Sequence, residues 1–96
     1  MFERYNKELA GRISEVLHYI WDPIGVAEEA YARGEYDDYV PQVYKRVVEN
    51  DNIEPISEYL QEVITDRMAL SADRKRCDYT AELLLEHQKA INEGAR

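Results

Sequence analysis

Apolar residues recur at three- and four-residue steps along most of this chain, which is the period of an amphipathic helix. Leu9, Ile13, Val16, Leu17 and Ile20 predict a first helix over about residues 2–20. Tyr36, Tyr39 or Val40, Val43 and Val47 stripe a second over residues 36–50. Pro41 holds its start to Asp37 or Asp38, because proline fits the first turn of a helix and breaks the interior. Ile56, Leu60, Val63 or Ile64, and Met68 mark a third over residues 56–70, opened by Pro55. Cys77, Ala81, Leu84 and Ile91, with Leu85 or Gln88 between, mark a fourth over residues 74–92, capped by Ser71 or Asp73 and ended by Gly94. No stretch alternates as a strand does. Short polar turns between long helices favour antiparallel neighbours, so the expected fold is all-α: one small up-and-down four-helix bundle spanning residues 1–96.

The breaks in the pattern carry as much information. Pro23 ends the first helix at or before Asp22, since the residue before a proline is pushed out of the helical region. Asp22 is then placed to cap a short turn, with Pro23 stiffening it and Gly25 supplying a permissive backbone. Residues 26–33 read as one or two helical turns closed by Gly34, too short to stand without packing on Trp21. Gly11 interrupts the first stripe at a cost of about 1 kcal/mol against alanine, which points to a closely packed neighbour.

Charge changes the picture next. The net charge is -8. Residues 25–42 carry -4 of it and residues 43–70 carry -3, whereas residues 71–96 are neutral. An acidic middle repels phosphate backbones and attracts basic partners, so direct nucleic-acid binding is not expected. Arg74, Lys75 and Arg76, flanked by Asp73 and Asp78, read as a solvated helix start. The single cysteine, Cys77, excludes an internal disulfide. No run approaches the roughly 20 apolar residues of a membrane span, and residues 1–5 lack a signal-peptide core, so a cytoplasmic protein is expected.

Candidate chemistry is sparse. Glu15 and His18 form the i, i+3 unit that di-iron bundles use in duplicate, but Leu84 precedes His87 at that spacing and the duplicate is missing. Asp78, Glu82 and Glu86 stack on one helical face as ligands would, and equally as a solvated face would. Cys77 near a helix start is placed for a lowered thiol pKa, yet it also lies on the apolar stripe, where cysteines are inert. No glycine-rich phosphate loop exists. The expectation is therefore no enzyme, no cofactor and no metal.

Eight tyrosines against one phenylalanine is a skewed ratio. Tyr19, Tyr31, Tyr36, Tyr39 and Tyr44 gather near Trp21 and the acidic segment, either as the edge of a small core or as a protein-binding surface. The pair Trp21-Asp22-Pro23-Ile24-Gly25-Val26 and Glu35-Tyr36-Asp37-Asp38-Tyr39-Val40 resembles a group of small bacterial helical proteins. Those proteins share a Trp-Asp-Pro-[Ile/Leu]-Gly turn and a Glu-Tyr-Asp-x-Tyr segment, and the likeness runs over about residues 13–70. The resemblance implies a compact helix bundle, in a group largely of unknown function. By analogy with small acidic immunity partners of toxins, it implies binding to a protein. Trp21, Asp22, Pro23 and Gly25 are expected to form the structural turn. Glu35, Tyr36, Asp37, Asp38 and Tyr39 are the expected contacts for a basic protein partner. A structural or regulatory homo-oligomer, such as a homodimer, joined through the tyrosine-rich face is the second reading, and a carboxylate metal-binding bundle or enzyme the third.

Overall fold

Among the described residues four α-helices arise where the apolar stripes lie: α1 (Lys7–Val16), α2 (Val40–Glu49), α3 (Glu54–Glu62) and α4 (Arg74–Gly94). The structure is a computed structural model and describes residues 6–29 and 32–94. No strand forms among the described residues. α1 packs on α2 and α4, and α3 packs on the same two helices, so the four close into a ring around one core. Leu9, Ile13 and Leu17, Val43 and Val47, Ile56 and Leu60, and Cys77, Ala81 and Leu84 fill it. Every stripe expected to face inward does so, with Ile20 and Met68 half-buried at its edge.

The helix ends differ from expectation in instructive ways. Residues 1–5, where the first helix was expected to begin, lie outside the described residues. α1 starts at Lys7 because Asn6 caps it, its Oδ1 accepting the Leu9 N–H at 2.9 Å. The Asn6 N–H donates to the Tyr44 hydroxyl at 2.8 Å, tying this end to α2. Pro41 sits in the first turn of α2, and a 3₁₀ turn over Asp37–Tyr39 leads into it. Pro55 likewise opens α3. Asp73 caps α4, accepting the Arg76 N–H at 3.1 Å, and the helix runs through Gly94 instead of stopping before it.

α1 and α3 both widen at their carboxyl ends into π-turns, Leu17–Trp21 and Val63–Arg67. Asp22 N–H donates to the Leu17 carbonyl at 3.0 Å and Met68 N–H to the Val63 carbonyl at 3.0 Å, each spanning five residues. A left-handed residue follows each: Asp22 (φ 32°) and Ala69 (φ 55°). Pro23 does expel Asp22 from the helical region, but into the left-handed well and not the extended one. Ala69 ends the third helix at Arg67, short of the expected residue 70, and Leu70 N–H then reaches back to the Ile64 carbonyl at 2.9 Å.

The helical turns expected over residues 26–33 are of the three-residue kind: among the described residues, Glu29 N–H donates to the Val26 carbonyl, Ala32 to Glu29 and Glu35 to Ala32, each at 2.9 Å. One expectation is corrected. Among the described residues Gly11 packs against nothing, since a Cβ placed there meets no atom of theirs within 4 Å. It lies on the outer face of α1, so packing does not explain its helix cost.

Candidate functional site

The corner between α1 and α2 is built around one carboxylate. In its left-handed conformation Asp22 turns its side chain into the loop that follows. Oδ1 accepts the backbone N–H groups of Gly25 at 3.0 Å and Val26 at 2.7 Å, and Oδ2 accepts that of Ala27 at 3.0 Å. The Tyr36 hydroxyl donates to Oδ1 at 2.7 Å and accepts the Ile24 N–H at 3.0 Å. One tyrosine thus clamps the carboxylate and the peptide beside it. Burial alone would raise the Asp22 pKa, but the Tyr36 hydroxyl and the three backbone donors outweigh it and hold the carboxyl below its ordinary 3.8. Burial and the neighbouring Asp22 push the Tyr36 phenol far up, so it stays a hydrogen-bond donor.

Aromatic packing closes the same corner. Trp21 is fully buried and meets Tyr36 edge-on at 5.4 Å and Tyr39 at 6.3 Å between ring centroids. Its carbonyl accepts from Arg76 at 3.3 Å, linking the end of the first π-turn to α4. Among the described residues the indole N–H finds no partner of full hydrogen-bond geometry; its neighbour is the Cys77 sulfur, a weak acceptor. His18, also buried, donates Nε2–H to the Ala27 carbonyl at 3.1 Å, since a carbonyl can only accept. Trp21, Asp22, Pro23 and Gly25 therefore form the turn expected of them, with Gly25 at φ 84°.

The five expected contact residues divide. Tyr36 is 1% exposed and its hydroxyl is occupied as donor and acceptor, so it belongs to the core and is withdrawn as a surface contact. Tyr39 is half-buried against Trp21. Glu35, Asp37 and Asp38 are exposed. Asp37 is steadied by α1, accepting the Ser14 hydroxyl at 2.6 Å. Arg33 donates to the same hydroxyl at 2.9 Å and lies over the Tyr19 ring at 5.6 Å. Nothing in the sequence signals this Ser14–Arg33–Asp37 link, because its members are 19 and 23 residues apart.

The other candidates fall into structural roles. Cys77 is buried, as its place on the apolar stripe led us to expect, and burial pushes its thiol up to about 11 against the opposing pull of Trp21, so desolvation outweighs any helix-terminus activation. His18 spends Nε2 on Ala27, while Glu15 is exposed. Asp78 accepts the buried Ser57 hydroxyl and pairs with Arg74 at 3.6 Å. His87 Nδ1 faces the Arg12 guanidinium at 3.2 Å. Among the described residues no three His, Cys, Asp or Glu side chains group as metal ligands, and no helix is long and apolar enough to cross a membrane.

Compared with known proteins, the chain matches no family model, no curated protein and no solved structure.

Proposed function

We propose that this chain is a non-enzymatic, acidic protein-binding domain of the cytoplasm. Its most concrete form is an immunity-type protein that neutralises a basic toxin such as a nuclease. The observation that carries this reading is the division within one segment: Tyr36 meets the needs of the fold, and leaves Glu35, Asp37 and Asp38 facing solvent on a chain of net charge -8. Carboxylates presented on a rigid corner steer a cationic partner and speed its association, at a rate that falls with salt. Self-association through the tyrosine-rich face is disfavoured by the burial of Tyr36.

The test is co-purification of the tagged chain from its native host at low and moderate salt, with partners identified by mass spectrometry. A stoichiometric basic protein is expected, lost at moderate salt and lost by the Glu35→Gln/Asp37→Asn/Asp38→Asn variant. A partner held equally by wild type and that variant overturns the assignment of these carboxylates. Recovery of the chain alone, as a dimer on sizing, overturns the reading itself.

A further inference from the structure

His18 is a titratable side chain without a part in any chemistry described so far, and it is buried to 1% exposure. Its Nε2–H goes to the Ala27 carbonyl at 3.1 Å, which fixes the tautomer of the neutral ring and leaves Nδ1 a bare acceptor. Among the described residues Nδ1 meets no hydrogen-bond partner. A proton added there creates a buried donor with nothing to receive it, on a ring that has become a cation. The folded corner therefore fits the neutral imidazole and not the imidazolium.

The surroundings offer the cation no remedy. Tyr19 stands edge-on to the ring at 4.5 Å between centroids, and Tyr36 tilts toward it at 6.5 Å. Arg33 lies over the Tyr19 ring at 5.6 Å, a positive charge where a negative one is needed. The Asp22 carboxylate is filled by the Tyr36 hydroxyl and three backbone N–H groups. Glu29 is already engaged, and Glu15, Glu28 and Glu35 are exposed. On the side of α4, Arg76 turns to Asp73 and the Trp21 carbonyl, and the Cys77 thiol keeps its proton.

What His18 ties down is a loop with little regular structure behind it. Residues 22–29 form no α-helix, and Ile24, Gly25 and Glu28 are exposed. Asp22 holds the loop through the Gly25, Val26 and Ala27 N–H groups, and its carboxyl stays ionised down to below 3.8. Between about pH 8 and about pH 5, where an imidazole takes up its proton, that clamp does not change.

We infer that His18 is a proton-operated latch on the loop of residues 22–29: neutral, the ring is seated in the core and ties Ala27 down; protonated, it leaves its slot and the loop opens with it. Local opening wins over unfolding of the whole chain because the four helices share one core, whereas the loop only rests on its edge. The open form takes the proton freely and the closed form does not. Linkage then favours the open form by up to about tenfold for each pH unit as pH falls across the imidazole range. This device stands whether or not the acidic-binding reading does.

The experiment is amide hydrogen exchange on the full chain from about pH 8 to about pH 5, corrected for the intrinsic rate at each pH. Protection at Ile24, Gly25, Val26 and Ala27 is expected to fall by up to about tenfold per pH unit, while Ala81 and Leu84 in α4 keep theirs. His18→Gln, whose amide can still donate to Ala27 but takes up no proton, should flatten the profile. His87→Gln removes the other of the two histidines and should leave the profile as in wild type, a control that keeps His18 itself intact. A flat wild-type profile would overturn the latch. So would a profile that persists in His18→Gln or vanishes in His87→Gln. A parallel loss of protection at Ala81 and Leu84 would mean that the whole chain unfolds, and would overturn it as well.

Discussion

Asp22 and Asp37 are two aspartates that each accept a hydroxyl hydrogen bond from another part of the chain, and they do opposite work. Asp22 takes the Tyr36 hydroxyl together with three backbone donors, is half-hidden, and organises the turn between α1 and α2. Among the described residues Asp37 takes the Ser14 hydroxyl alone, and it remains exposed. The difference lies in saturation. A carboxylate whose acceptor sites are filled by its own chain is part of the fold, whereas one with a single protein donor still has lone pairs to offer. Composition counts both simply as acidic charge. Only the number of donors each accepts separates the residue that holds the corner from the residue left open to solvent.

The comparison can be broken most forcefully at the aromatic that covers the corner. Trp21→Ala should cost about 3–5 kcal/mol, read as a lower urea midpoint, because the residue is fully buried against Tyr36 and Tyr39. A smaller effect would mean the corner can collapse around the loss. Asp22→Ala should cost about 2 kcal/mol at neutral pH, since it strands a tyrosine hydroxyl and three loop N–H groups that water reaches only in part.

The same substitution carries a pH signature. The folded-state pKa of Asp22 is depressed, so its contribution is fully present above the unfolded value of 3.8 and is lost as pH falls through the lower folded value. The acid limb of the stability curve should therefore be shallower in Asp22→Ala than in wild type.

Gly11→Ala should stabilise the chain by about 1 kcal/mol, because a Cβ there meets open space on a helix. Thermal melting checks it, and a loss of stability would show that the outer face of α1 near Ser14 is not free. Asp37→Ala should move stability by no more than about 0.5 kcal/mol, in contrast to Asp22. A cost equal to that of Asp22→Ala would dissolve the distinction between them.

The stripes of α1 to α4 were legible because burial follows the helical period, and Pro41 and Pro55 marked first turns for a reason that does not depend on context. The turn at Trp21-Asp22-Pro23 was legible too, as a stop followed by a cap. The π-turns were not, because a five-residue closure depends on where the chain must go next, which Asp22 and Ala69 decide by entering the left-handed region. Gly11 misled because a glycine in a helix signals close packing or mere tolerance with the same letter. Tyr36 misled in the site for a related reason. A tyrosine in an acidic segment serves equally as a surface anchor or as a buried clamp, and its choice here depends on an aspartate fourteen residues away.

The central claim is that Asp22 is a carboxylate saturated from within and clamped by Tyr36. Its most direct test is a carboxyl NMR titration of Asp22 in wild type and in Tyr36→Phe. The account predicts a wild-type midpoint below 3.8 that climbs when the hydroxyl is removed. A wild-type midpoint at or above 3.8, unmoved by Tyr36→Phe, would contradict it.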